Sequence, residues 1–340
     1  MIYQTTTLGT SQKLPYPTPQ TIVITGGTGS FGQAFARLLI TETPHHVRVF
    51  SRDEHKQEAM WSSCPPGPRL TYIIGDVRDR ERLEDAFDGA QAVVHAAALK
   101  IVRTGEVNAD EVMKTNIEGS LNVVEAALAA NVRRTLLIST DKAVQPISDY
   151  GVSKAKAERL FVQANIKGIS RSCIFACVRG GNIWASRGSV AERWHDAIVA
   201  GHPLIVTDPA STRFHLPMLE WTRFCRRVLE AMHGGEIFVP KARAWWLGDL
   251  VYAFAGVNGV EPAGLRSGDK RHETLISKYE MGRAQDVDWA YVISPPDELR
   301  RVWNYREWDG SRSEMGAYTS LDVDKLGTDE LRELIGETWR

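Results

Sequence analysis

The apolar run Thr21-Ile22-Val23-Ile24-Thr25 ends in three evenly spaced glycines, Gly26, Gly29 and Gly32, and a helical pattern continues from Ser30 to Thr41. Few arrangements satisfy that order. A strand that turns into a helix through glycines lets its backbone come close to a bound group, and the third glycine lets helix and strand pack closely. The helix begins at the turn, so its free N–H groups face whatever the turn holds and favour negative charge there. A strand feeding a helix in this way belongs to a parallel sheet covered by helices.

The rest of the first half keeps that rhythm. Strand patterns fall at His46 to Phe50, Arg69 to Ile74, Ala92 to His95, Thr135 to Ser139 and Cys173 to Val178. Helical patterns cover Asn108 to Ala130 and Tyr150 to Asn165. After Arg179 glycines and prolines break the pattern, until a helix near Glu220 to Met232 and a strand Glu236 to Val239 return to the sheet. The expected fold is α/β: a Rossmann-type, doubly wound parallel sheet with a smaller, interleaved C-terminal substrate-binding lobe. Its parts are an extended arm (1–20), a nucleotide-binding core (21–179, with a return segment 217–240) and a lobe formed by 180–216 and 241–340.

Composition removes other classes. Among 340 residues the net charge is −1, so no bulk attraction to nucleic acid or an anionic membrane is expected. No apolar run approaches a membrane span, and Met1 to Gln20 lacks the pattern of a secretory signal. Cys64, Cys173, Cys177 and Cys225 form no CxxC and complete no zinc spacing, so neither disulfide nor metal is expected. That usage suits the cytoplasm.

The glycine turn is expected to hold the pyrophosphate of a dinucleotide through Gly26, Thr28, Gly29, Ser30, Phe31 and Gly32. At the end of the second strand Ser51-Arg52-Asp53 favours a ribose 2′-phosphate, hence NADP, while Asp53 keeps NAD possible. Asp76 and Val77 follow the third strand, where adenine should lie; a helix N-cap would serve Asp76 equally. Ala96, Ala97 and Ala98 leave room for the cofactor to pass.

Tyr150 and Lys154 stand one helical turn apart on one face. An ammonium beneath a phenol favours the phenolate, which can take a proton from a sugar hydroxyl while hydride leaves the same carbon. Ser139-Thr140-Asp141-Lys142 adds a second acid and base, more than alcohol oxidation needs. For Lys142 to act as a base, burial or nearby cations must lower its pKa. Asn116, on the long helix, reads as a residue that bonds backbone and shapes the site.

These motifs resemble the extended short-chain dehydrogenase/reductase superfamily. More specific strings are Gly27 to Gly32, Ser51-Arg52-Asp53-Glu54-His55-Lys56-Gln57, Ile74 to Asp79, His95 to Lys100, Lys114 to Ile117, Ser139 to Lys142 and Gly234 to Lys241. They are similar to the 5-inverting UDP-N-acetylglucosamine 4,6-dehydratases of pseudaminic acid and capsular sugar pathways. The resemblance implies catalytic roles for Thr140, Asp141, Lys142, Tyr150 and Lys154, with Tyr150 the base at the sugar 4-hydroxyl and Asp141 and Lys142 the acid–base pair at C6 and C5. It implies that Lys154 holds the nicotinamide ribose and that Lys56 and Lys100 join the cofactor site. It implies nucleotide-sugar contacts from Lys100, Asn182, Arg187, Ser189, Val190, Thr212, Arg213, Arg266, His272 and Glu273. The partner implied is a UDP-sugar, and the assembly a homo-oligomer, dimer or hexamer.

The implied chemistry is oxidation at C4, which acidifies the C5 proton, then loss of water across C5–C6 and return of hydride to C6. An epimerase on the same fold and a catalytically silent NADP-binding protein are the alternatives. The chain departs from its relatives at Ile101 and Arg103, where they read Leu-Lys-His-Val-Pro, and at Gly180, where they carry an aromatic residue beside the cofactor.

Overall fold

A computed structural model describes residues 20–254, 259–303, 305–312 and 316–339. Nearly all of the expected N-terminal arm lies outside them. The first half runs β1 (Thr21–Thr25), α1 (Ser30–Glu42), β2 (His46–Ser51), α2 (Glu54–Ser63), β3 (Leu70–Ile74), α3 (Arg80–Phe87) and β4 (Ala92–His95). It continues through α4 (Val102–Glu106), α5 (Ala109–Met113), α6 (Gly119–Ala129), β5 (Arg134–Thr140), α7 (Asp149–Gly168) and β6 (Ile174–Gly180). Then come β7 (Asn182–Ile183), α8 (Val190–Val199), β8 (Leu204–Val206), β9 (Thr212–Leu216), α9 (Met218–Ala231), β10 (Ile237–Pro240), β11 (Ala244–Trp246), α10 (Leu247–Ala253) and β12 (Val260–Pro262). The chain closes with β13 (Thr274–Ile276), α11 (Lys278–Met281), β14 (Ala284–Asp286), β15 (Ala290–Ile293), α12 (Asp297–Arg300), β16 (Ser311–Arg312), β17 (Tyr318–Thr319) and α13 (Thr328–Thr338).

The main sheet has the order β16-β14-β15-β10-β6-β5-β4-β1-β2-β3. From β3 to β10 the neighbours are parallel, and β1 lies between β2 and β4 with Ile22 opposite Val47 and Ala92. The alternation of strand side chains explains the two faces. Ile22 and Ile24 pack with Phe35 and Leu39 of α1 and with Trp221 and Val228 of α9. Val23 points the other way, into a cluster with Leu83 and Phe87 of α3, Val123 of α6 and Phe161 of α7. Both faces are covered, which is why the strands read as continuous apolar runs.

Two features differ from the sequence reading. β14, β15 and β16 belong to the main sheet, not to the lobe formed by residues 241–340. β15 pairs antiparallel with β10 and covers an edge that would otherwise expose unpaired backbone. The helix expected from Asn108 to Ala130 is interrupted by a π-helical turn at Lys114–Glu118. There the Asn116 side chain binds both backbone groups of Leu99, accepting from its N–H at 2.8 Å and donating to its carbonyl at 3.0 Å. Such bulges mark positions where a helix re-aims one side chain.

The lobe has its own core, with Trp194, Trp245, Leu250 and Leu331 at its centre. Among the described residues no helix is long and apolar enough to cross a membrane.

Candidate active site

β1 ends at Thr25, and the chain turns at Gly26 with φ +68°, a conformation that side chains resist. A Cβ there would stand 2.7 Å from the Ala97 backbone, so only glycine lets the Ala96–Ala98 segment pass beneath the turn. A Cβ on Gly32 would stand 2.6 Å from the Gly26 carbonyl. Gly29 caps α1 without any side-chain acceptor, leaving the first N–H groups of the helix free for an anion. Gly26, Thr28, Gly29, Ser30, Phe31 and Gly32 line one cleft of about 1590 Å³. A single small-molecule site takes roughly 300–1,000 Å³, so this cleft has room for two ligands.

Ser51, Arg52, Asp53, Lys56, Asp76 and Val77 line one end of that cleft. The Ser51 hydroxyl accepts from Thr28 Oγ1 at 3.0 Å, which ties the second strand to the turn. Asp53 is engaged as the N-cap of α2, accepting from the Lys56 N–H at 3.0 Å and pairing with Lys56 Nζ at 2.6 Å. Those hydrogen bonds hold its carboxyl below the usual range. Asp76 is gripped by Arg78 at 2.7 Å and faces Arg52 at 3.8 Å. The capping role considered for Asp76 falls to Asp79, which accepts from the Arg82 N–H at the start of α3. Arg52 and Lys56 stay half-exposed on the rim, two cations at that end of the cleft.

At the other end Thr140, Lys142, Tyr150 and Lys154 line the cleft. Asp141 does not: it is fully buried beneath its neighbours. β5 ends at Thr140 and a 3₁₀ turn, Asp141–Ala143, aims Lys142 outward. Asp141 Oδ1 accepts from Thr140 Oγ1 at 2.9 Å and from Lys142 Nζ at 3.1 Å. Its Oδ2 has no partner among the described residues, and burial pushes this carboxyl up.

Lys142 also meets Glu273, at 3.2 Å. Burial works against its charge, but Asp141 and Glu273 outweigh that and hold the ammonium well above the usual lysine range. The fall that a base requires is therefore absent here, because the nearest groups are carboxylates rather than cations.

Burial pushes the Tyr150 phenol up to about 12, against the Lys142 charge and a hydrogen bond with Thr140. The cation opposing that rise is thus Lys142, not Lys154 as the four-residue spacing suggested. Lys154 is brought down to about 8 by burial, partly offset by Glu158 and Cys177, which its ammonium faces.

The residues singled out for a nucleotide-sugar separate into two groups. Lys100, Asn182, Arg187, Ser189, Val190, Arg213, Arg266 and Glu273 line the cleft. Thr212 and His272 do not. They bond each other at 2.8 Å, and Thr212 also bonds Ser320 at 2.7 Å, securing β9 to the end of β17. Arg187 bridges the two halves: its guanidinium donates to the Thr28 carbonyl, its N–H donates to Ser30 Oγ at 3.1 Å, and its carbonyl accepts from Lys100 Nζ at 2.9 Å. Ile101 and Arg103 also face the cleft.

Several cleft residues escaped the sequence reading, among them Arg193, Ser211, Trp221 and Asp269. No local pattern distinguishes them, since they reach the cleft only through packing. Asn182 Oδ1, Ser211 Oγ, Glu273 Oε2 and Trp221 Nε1 are buried without a partner among the described residues. Orphaned polar atoms around one cleft suit a polar ligand that would complete them.

The family described as Polysaccharide biosynthesis protein matches residues 22–295. A UDP-N-acetylglucosamine 4,6-dehydratase (inverting) of Campylobacter jejuni is 40% identical over 276 residues, 81% of this chain and 82% of that protein. A UDP-glucose 4-epimerase of Rickettsia bellii is 36% identical over 326 residues, 93% of this chain and 95% of that one. Among solved structures, Pen from Bacillus thuringiensis superposes with a TM-score of 0.87 at 30% identity, covering 94% of this chain and 98% of its own. A dTDP-glucose 4,6-dehydratase of Streptomyces venezuelae, solved with NAD, shares the fold with a TM-score of 0.69 at 20% identity, covering 93% of this chain and 96% of its own.

Proposed function

The chain belongs to the Polysaccharide biosynthesis protein family, and from that membership we propose that it is an NADP-dependent UDP-N-acetylglucosamine 4,6-dehydratase that inverts C5. The observation that carries the reading is the placement of Lys142 near Tyr150 at the end of a two-ligand cleft, with Asp141 buried directly behind it at 3.1 Å. An epimerase that only oxidises and re-reduces C4 has no use for that second pair.

What supports a dinucleotide is the uncapped start of α1 and the close approach of Ala97 to Gly26. NADP is favoured over NAD because Asp53 is committed to capping α2 and to pairing with Lys56, while Arg52, half-exposed and 3.8 Å from Asp76, is the cation placed to meet a 2′-phosphate. Gly26 to Gly32 and Lys154 would hold the dinucleotide, whose nicotinamide would supply hydride acceptance at C4 and hydride donation at C6.

The chain's own residues move the protons. Tyr150 reacts as its phenolate, its phenolic proton having first gone to solvent, and takes the proton of the 4-hydroxyl as the 4-ketone forms. The ketone makes the C5 proton acidic. Lys142, once its resting proton has passed to Asp141, removes the C5 proton. Asp141, whose carboxyl burial keeps ready to hold a proton, supplies one to the departing 6-oxygen, which leaves as water. Because Asp141 has no opening on the cleft, that proton travels through Thr140 or Lys142, its two contacts. C5 then regains a proton from solvent on the opposite face, and Tyr150 releases the proton of the 4-hydroxyl, so the protons balance. The same family likeness extends the proposal to a homo-oligomer of the cytoplasm.

The test is incubation of the purified protein and NADP with UDP-N-acetylglucosamine, followed by mass spectrometry and NMR. A product lighter by one water, with inverted C5, is expected. A product of unchanged mass would favour the second reading, an epimerase, to which the long match with the Rickettsia protein points. No product would favour a silent NADP-binding protein.

A further inference from the structure

Lys142 is clamped between two carboxylates, and only one belongs to its own turn. Glu273 comes from β13's approach, far along the chain, and its Oε1 lies 3.2 Å from Lys142 Nζ, opposite Asp141 Oδ1 at 3.1 Å. Its backbone is pinned on both sides by Ser320, whose Oγ accepts from the Glu273 N–H at 2.9 Å and whose N–H donates to the Glu273 carbonyl at 2.8 Å. Glu273 is 2% exposed and its Oε2 has no partner among the described residues. A buried carboxylate held this firmly, with half its acceptors unused, is costly unless its charge serves a neighbour.

We propose that Glu273 is the positioning residue of Lys142, aiming its amine into the cleft and stabilising its protonated form. This rests on the reading of Lys142 as the base at C5 and adds what makes it a strong one. A base that ends its step as an ammonium between two carboxylates is driven toward taking the proton. At rest the same clamp keeps Lys142 charged, and the buried Asp141 is the group to which that proton can move.

The other charged groups around Lys142 are Arg213 on β9, 4.0 Å from Glu273 Oε1, and Lys270 in the segment before β13. Both are cations, and both also help keep Glu273 ionised against burial. Tyr150 on α7 faces Lys142 as a neutral phenol. Among the described residues Glu273 is therefore the acid outside the turn that acts most on Lys142.

Glu273→Gln keeps the shape and an acceptor oxygen but removes the charge. Loss of an opposite charge at this distance lowers a lysine's pKa by about one unit or more. Trace acetylation reads the neutral amine fraction at fixed pH, and Lys142 should label about tenfold faster in Glu273→Gln than in wild type. Lys154, on the same molecule, should label unchanged. Glu273→Asp retains the charge and should stay within about threefold of wild type, separating charge from loosened packing.

The rising limb of C5 proton exchange against pH should move down by about one unit in Glu273→Gln, with a lower plateau. Equal labelling of Lys142 in wild type and Glu273→Gln, or an equal rise in Glu273→Asp, overturns the proposal. If wild type leaves UDP-N-acetylglucosamine untouched, the dehydratase reading falls, and the labelling still decides the role of Glu273.

Discussion

Trp221 occupies the space that a side chain at Gly180 would need. A Cβ on Gly180 would lie 2.9 Å from Cζ2 and 3.0 Å from Cη2 of the indole, which also packs against Phe31 of α1. Beside the end of β6 the cleft wall is therefore lined by a ring from α9.

The pairing is testable by overpacking. Gly180→Ala should destabilise the fold by about 1–3 kcal/mol, because the rigid, buried indole cannot yield. In Trp221→Ala the same glycine substitution should cost much less, a coupling that a double-mutant cycle of thermal unfolding measures. Additive effects would mean that the two residues do not share this space.

Cofactor preference should rest on the rim. Arg52→Ala should weaken NADP binding by about 1.5–3 kcal/mol, the range for hydrogen bonds to charged groups, and leave NAD nearly unchanged. Calorimetric titration of both cofactors decides. Equal losses for the two would move Arg52 out of contact with a 2′-phosphate.

The division of labour at the site gives a second kinetic test. Tyr150→Phe should abolish both reduced-cofactor formation and C5 exchange, since no 4-ketone forms. Asp141→Asn preserves the turn but removes the acid, a loss on the order of 10²–10⁴ in the elimination. That variant should still oxidise C4 and accumulate reduced cofactor in a single turnover followed at the nicotinamide absorbance. If Asp141→Asn dehydrates at the wild-type rate, the proton for the leaving oxygen has another source.

His95 supplies a pH dependence of stability. It lies fully buried between Thr25 Oγ1 at 2.7 Å and Ser120 Oγ at 3.1 Å, and burial, with the Lys154 charge, brings it down to about 3. The folded protein keeps it neutral, while the unfolded chain protonates it below about 6.5. Its contribution is thus present above pH 6.5 and is lost at about 1.4 kcal/mol per pH unit as acid is added toward pH 3. Between pH 6.5 and 5, where most carboxylates have not yet titrated, His95→Asn should flatten the fall in unfolding temperature. An unchanged slope would assign the effect elsewhere.

What the sequence could determine is what acts over short stretches of chain. The Thr21 to Gly32 segment fixes a strand, a turn and a helix start, because apolar alternation and glycine conformations are local properties. The same is true of Tyr150 and Lys154, one turn apart, and of Asp141 and Lys142, which leave β5 together. Chemical identity at those positions was therefore legible, but their electrostatics was not. Whether Lys142 is lowered or raised depends on how burial weighs against Asp141 beside it and against Glu273, which only the packing of the lobe brings to 3.2 Å. Thr212 and His272 sit in strings that resemble a binding segment, yet their side chains turn to Ser320 and to each other. Trp221 meets Gly180 because α9 crosses the face of the sheet. Short strands such as β14 and β16 carry too few residues for a readable period, so their place in the main sheet was decided by pairing alone. Meetings between distant segments follow from how the elements pack, and no window of sequence contains both partners.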